Sequence, residues 1–230
     1  MSVKIDICQY FLIIDVRQKV FFFYNIMHQM KLHRKFATPI WTSQLDHVSK
    51  INKDLLKYIY GLKKNDPEGI NRSNMLGWHS KMIDISSSPA HINFFNKISS
   101  NLIKVAKDLS WDRKNFDYKI TNTWAIINPP MACNQSHIHS NNLISAAYYV
   151  KFPKNAGRFI AEDPREVALY YHASYEKPNA LNEQNVIIEP KTGLLAMFPS
   201  YVKHWVEPNM SKQDRVIISF NISFQKKEKK

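Results

Sequence analysis

GLLAMFPSYVKHWVEP (193–208) and, a few polar residues later, RVIISFNISF (215–224) decide the fold. Their apolar residues come in short runs, rich in β-branched and aromatic side chains and cut by Pro199 and Pro208. Runs of that length, bounded by turn residues, read as strands rather than helices. The same texture extends upstream through residues 116–127, 143–152, 158–161, 169–172 and 185–189, with 204–206 as a further short strand. Seven or eight closely spaced strands with no helix between them predict a mainly β (α+β) jelly roll or β-sandwich. Before Ser110 the period is helical: Val48, Ile51, Leu55, Leu56, Ile59 and Tyr60 mark a helix from Leu45 to about Leu62. A second helix, about Pro89 to Leu109, carries Ile92, Phe95, Ile98, Leu102, Ile103 and Val105 on one side. Both are expected to cover the β domain, which opens with a short strand at 35–41.

The composition removes several classes. The chain has 230 residues, two cysteines, five glycines and a formal net charge of +13. Two cysteines cannot supply a disulfide framework or a thiolate zinc site, so Cys8 and Cys133 read as free thiols of a reducing, cytoplasmic setting. Residues 1–36 carry +4 and the tail 226–230 carries +3, which leaves only +6 for the remainder. That is a mildly basic solvated surface, and neither an arginine stripe nor an RNA-recognition signature indicates a nucleic-acid partner. The apolar stretches at 7–14 and 20–24 are broken by Asp15, Arg17, Gln18 and Lys19, too soon for a membrane span or a signal peptide. Residues 1–34 are therefore read as a poorly specified extension, with a true start at Met27 or Met30 as the alternative, and residues 35–225 as one domain. With glycine this scarce, asparagine is expected at many positive-φ turns, while Gly157 and Gly193, each just before a strand, should need that conformation themselves. The Lys, Asn and Ile bias suits an AT-rich genome, bacterial or phage, in which case the setting is the host cytoplasm.

Nine histidines are present, and most stand alone. His28 and His33 lie in the N-terminal extension, His47 opens a helix, and His79, His91 and His172 have no partner at ligand spacing. His137 and His139, two apart in an extended segment, would point the same way. His204 begins another short strand, and distant strands of a jelly roll can meet at the barrel mouth. Three imidazoles at one point suit iron, zinc, copper or nickel with positions left for exogenous ligands. Arg215, on the last strand, would be a natural carboxylate anchor through its bidentate fork; the plainer alternative pairs it with Asp214 or Glu207 at the surface.

WAIINPP…HIH (124–139), LISAAYYVKFP (143–153), EDPR (162–165), GLLAMFPSYVKHWVEP (193–208) and DRVIISFN (214–221) together resemble a microbial and phage family of 2-oxoglutarate- and iron(II)-dependent oxygenases. FATPIW (36–41) and RSNMLGWHS (72–80) extend the resemblance over about residues 35–224. It implies a double-stranded β-helix in which His137 and His204 bind Fe(II) and Arg215 binds the far carboxylate of 2-oxoglutarate. Relatives commonly have a carboxylate where this chain has His139, so His139, water, another anion or Asp163 would complete the metal's ligands. They also often have a serine two residues after the arginine. Here that residue is Ile217, leaving Ser219, or a hydroxyl from Tyr148 or Tyr149, of which alternation points only one inward; Tyr149 is the expected one.

The implied reaction hydroxylates a C–H bond with molecular oxygen and yields succinate and CO2 from 2-oxoglutarate. The alternatives are a cupin-like three-histidine metalloenzyme that does not use 2-oxoglutarate, and a non-catalytic jelly-roll binding module. Substrate choice is expected from the polar, Tyr-rich loops around residues 153–182. Trp78, Trp124 and Trp205 are expected as core or rim aromatics, and Asn128 and Asn134 as possible substrate contacts. The substrate and the oligomeric state are not legible.

Overall fold

The alternation of the last strand sorts the molecule into layers. In β11 (Arg215–Lys226), Val216, Ile218, Phe220 and Ile222 join a core that includes Leu55, Ile59, Phe94 and Ile98 from two helices. The intervening Ile217, Ser219 and Asn221 line a cavity on the other face. Period-two alternation thus puts one face of the sheet against the helices and leaves the other for chemistry. The structure, a computed structural model, describes residues 31–170 and 173–227. Its contacts separate two units, Met1–Ala37 and Thr38–Lys230. In the first, the described residues 31–37 form no helix or strand.

The second unit contains β1 (Trp41–Gln44), α1 (Ser49–Asn65), β2 (Asn74–Met75), β3 (Trp78–His79), α2 (Pro89–Asp108), β4 (Phe116–Asn128), β5 (Cys133–His137), β6 (Ile144–Lys151), β7 (Phe159–Glu162), the single turn α3 (Val167–Tyr170), β8 (Asn185–Ile188), β9 (Leu194–Pro199), β10 (His204–Val206) and β11. One sheet has the order β1-β9-β6-β11-β4-β3 and the other β2-β5-β10-β7-β8, with every pairing antiparallel. Crossovers between two such sheets make a double-stranded β-helix. The helices cover the six-stranded sheet through Phe94, whose ring lies 4.6 Å from that of Tyr148, and Tyr148 Oη donates to Asn52 Oδ1 of α1. Truncating a fully buried aromatic such as Phe94 would cost about 3–5 kcal/mol. Ser88 caps α2, accepting from the His91 amide, with Pro89 in the first turn.

Three expectations are corrected. Residues 35–40 form no strand; β1 starts at Trp41, because Phe36 has φ 57° and Pro39 lacks an amide donor. The segment read as a strand at 169–172 instead carries α3, which ends at Tyr170; Tyr171 and His172 lie outside the described residues. A preceding Asp163–Pro164–Arg165 turn, in which Asp163 Oδ1 accepts from the Arg165 amide, directs the chain into that turn. Positive φ is carried by Asn141 and Asn155, but also by His47, Leu76, Ser110 and Met131, so asparagine is not the general substitute for glycine. Gly157 and Gly193 do adopt it, at +89° and +88°. The expectations for Met27, Met30, Cys8 and His28 fall outside the described residues. No helix among the described residues is long and apolar enough to cross a membrane.

Candidate metal centre

Antiparallel pairing of β5 with β10 sets His137 directly opposite His204. His139 follows just beyond β5, where its amide donates to the Ser200 carbonyl. The three imidazoles thereby share one end of the five-stranded sheet, with potential ligand nitrogens all within 4.8 Å of one another. His139 Nε2 and His204 Nε2 are 3.3 Å apart. Ligands at about 2.0–2.1 Å from an ion, in adjacent positions, stand about 3 Å apart, so these two are already near coordination spacing.

The backbone sets the direction of two rings. His137 Nδ1 donates to the Gln135 carbonyl (2.7 Å) and His204 Nδ1 to the Val202 carbonyl (2.9 Å). This fixes the tautomer and leaves each Nε2 lone pair inward, the outer-sphere support common to histidine ligands. Burial first, and neighbouring histidines second, hold His204 down to about 3 and His139 to about 4; burial also lowers His137. All three are neutral at physiological pH, the form that can donate to a metal.

The centre opens on a cavity of about 520 Å³ between the sheets. Trp124, Tyr149, Ile217 and Ser219 line its inner part, and no aspartate or glutamate lines it. Asp163 is engaged elsewhere, its carboxylate held by Arg165 at 2.6 Å. Among the described residues no carboxylate joins the histidine group. His139, and not Asp163, groups with the other two histidines.

Arg215 starts β11 and is fully buried. It does not make the surface pairing that was its plainer alternative. Asp214 accepts from Tyr60 Oη, and the Glu207 carboxylate is bound by Arg158. Arg215 Nη1 instead donates to the backbone carbonyls of Ala156 and Glu207, while its Nε and Nη2 have no partner. Tyr149 Oη is likewise buried and unpartnered, and Tyr149 is close enough to Arg215 for each to act on the other's ionisation. Burial lowers Arg215 only to about 10, so it stays cationic at neutral pH. Leaving buried donors unpaired is costly, and a hydrogen-bond acceptor would complete them. Tyr148, pointing to the helices, cannot take part. Gly157 makes room: a Cβ there would lie 2.8 Å from Arg215 Nη1.

Asn128 and Asn134 are bonded to each other, Asn128 Nδ2 to Asn134 Oδ1 at 2.8 Å; of the pair, Asn134 lines the cavity. Trp78 belongs to the helix-side core. Trp124 is a cavity wall, its ring stacked on His139 at 5.4 Å and on His79 at 5.8 Å. His79 was passed over in the sequence as a lone histidine. It lines the cavity, with Nδ1 donating to the Ser80 carbonyl, and burial lowers its pKa. Nothing in its spacing marks it; only the pairing of β3 with β4, which sets His79 opposite Ile126, brings it in. Ser73, 3.5 Å from His137 Nε2, was missed for the same reason.

Residues 122–221 match the sequence family described as "Putative 2OG-Fe(II) oxygenase". No curated protein matches the chain. Among solved structures, a prolyl-4-hydroxylase from Pseudomonas putida is similar with TM-score 0.56 and 15% identity, covering 83% of this chain and 94% of its own. A prolyl hydroxylase from Trichoplax adhaerens has TM-score 0.57 and 12% identity, with 80% and 83% covered. The non-heme α-ketoglutarate-dependent epimerase SnoN of nogalamycin biosynthesis has TM-score 0.59 and 8% identity, with 81% and 78% covered. At these identities the likeness is one of fold.

Proposed function

We propose, from the premise that residues 122–221 form a 2OG-Fe(II) oxygenase-family domain, that the chain is an Fe(II)- and 2-oxoglutarate-dependent dioxygenase that hydroxylates its substrate. The observation that carries this reading is one cavity lined by three neutral imidazoles and the unpartnered Tyr149, with the buried, unpartnered Arg215 guanidinium outside that lining but close to Tyr149. Such an ion and cosubstrate, when bound, supply oxygen activation coupled to decarboxylation of 2-oxoglutarate to succinate.

The protein's share is binding, orientation and exclusion of water. His137, His139 and His204 would hold the ion on one side, leaving its other positions for exogenous ligands. The free Nε and Nη2 of Arg215, with the Tyr149 hydroxyl, would grip the distal carboxylate. Ser219 lines the cavity two residues beyond Ile217 and would contact the cosubstrate along its length. Ile126, Tyr149, Ile217 and Trp124 form an apolar wall that keeps this end dry. The carboxylate-free histidine set alone would equally suit a metalloenzyme that does not use 2-oxoglutarate. The unpartnered guanidinium favours the oxygenase.

Anaerobic titration of the Fe(II) protein with 2-oxoglutarate tests the proposal. A weak visible charge-transfer band and later succinate formation on admitting oxygen are expected, lost in His204→Ala and weakened in Arg215→Ala. A protein that binds iron but gives neither band nor succinate would belong to the other metalloenzyme class.

A further inference from the structure

One short segment supplies part of the cavity's wall. β2 pairs with β5 of the five-stranded sheet, and β3 pairs with β4 of the six-stranded sheet. Residues 70–79 therefore bridge the two sheets at their open edge. The bridge is built to hold its shape. Leu76 has φ 57°, Asn74 Nδ2 donates to the Gly77 carbonyl, and Asn74 Oδ1 accepts from the Arg72 amide. Ile70, Arg72, Ser73 and His79 from this segment all line the cavity. Among the described residues of the loops around 153–182, expected from the sequence to choose the substrate, Phe159 of β7 lines the cavity.

Among the described residues, Arg72, exposed at the cavity mouth, is the one Lys or Arg side chain lining the cavity, no acidic side chain lines it, and the Arg72 guanidinium has no ion-pair partner. Charge accounting points the same way. A divalent ion on three neutral imidazoles keeps both its positive charges, and Arg215 and Arg72 add one each. The two negative charges of 2-oxoglutarate offset half of that total. A semi-enclosed cavity with excess positive charge favours an anion.

We propose that Arg72, on the 70–79 bridge, anchors an anionic group, carboxylate or phosphate, of the substrate. This rests on reading the cavity as the oxygenase site. The bidentate fork suits either anion, and the aromatic wall of Trp124 beside it suits an apolar body on the same molecule.

The test is binding, not turnover. Phenyl phosphate, benzoate and the neutral isostere benzamide are titrated by calorimetry into the full-length protein, once metal-free and once loaded anaerobically with Fe(II) and 2-oxoglutarate. At least one anion should bind the loaded protein about tenfold or more tightly than benzamide, and which one does separates carboxylate from phosphate. Arg72→Gln should abolish the preference, Arg72→Lys should retain part of it, and 2-oxoglutarate affinity should stay unchanged in both. An anion preference that is absent in the wild type, or that survives Arg72→Gln, overturns the proposal. Loss of 2-oxoglutarate binding in the wild type, with an Arg72-dependent anion preference intact in the metal-free protein, would instead remove the oxygenase reading and leave the Arg72 anion site standing.

Discussion

His139 and His204 are 65 residues apart in the chain, yet their Nε2 atoms are 3.3 Å apart and their rings lie within 9° of parallel. Without a metal the two nitrogens can share a hydrogen bond; under the proposed function a shared ion would take that place, with His139 as a ligand in its own right. Replacing an outer-sphere partner of a ligand costs about 10–100-fold in metal affinity, so His139→Ala should cost at least about 100-fold. Competition against a chromophoric chelator measures it. Iron retention equal to wild type would mean that His137 and His204 bind the ion without it.

The Tyr149 hydroxyl separates folding from binding. It is buried with no partner, so Tyr149→Phe removes an unsatisfied polar atom and should leave stability unchanged or slightly higher. The same change should weaken 2-oxoglutarate about tenfold, the scale of a hydrogen bond to a charged group. Chemical denaturation and cosubstrate titration of one preparation read both. Cosubstrate affinity unchanged would remove Tyr149 from the binding set.

What the sequence discloses here follows from the range of its signals. Strands β4, β6, β9 and β11 are long or strongly apolar, and period-two alternation assigns both their faces. That is why Ser219 could be placed on the same face as Ile217, and one of Tyr148 and Tyr149 inward; the cavity lining identifies it as Tyr149. His137, His139 and His204 were legible through close spacing and a distinctive surrounding block. The two-residue strands β2 and β3 carry no periodic signal. Their place is set by hydrogen bonds to β5 and β4, so Ser73, His79 and the lining role of Arg72 stayed hidden although the RSNMLGWHS segment itself stood out. β5, CNQSH, is polar and offers no strand pattern either.

Gly157 should prove a cosubstrate residue without touching cosubstrate. Its φ is +89°, and a Cβ would crowd both the Arg215 Nη1 and the carbonyls of Glu207 and Pro208. Gly157→Ala therefore strains the turn by more than about 1 kcal/mol and pushes the guanidinium from its seat. Loss of 2-oxoglutarate affinity with metal affinity preserved is expected, because the histidines sit on β5 and β10 rather than on this turn. Equal loss of both would indicate general unfolding instead of a local displacement.

Acid should destabilise the metal-free protein well before its carboxylates titrate. Burial is the leading cause that holds His79, His91, His137, His139 and His204 below the ordinary value of 6.5, with His91 and His139 at about 4 and His204 at about 3. The unfolded chain takes up these protons from about pH 6.5 downward while the folded chain refuses them. Stability is thus complete above 6.5 and falls as pH drops toward the folded values. Each fully depressed histidine contributes a slope of about 1.4 kcal/mol per pH unit in that window. Urea unfolding at pH 7, 6 and 5 should show a steep decline. His91→Phe tests the attribution apart from the metal site, since His91 packs between Tyr58 and Phe95 with its Nδ1 unpartnered. The variant should fold and reduce the slope by one histidine's share; a slope identical to wild type would show that His91 already takes up its proton in the folded state.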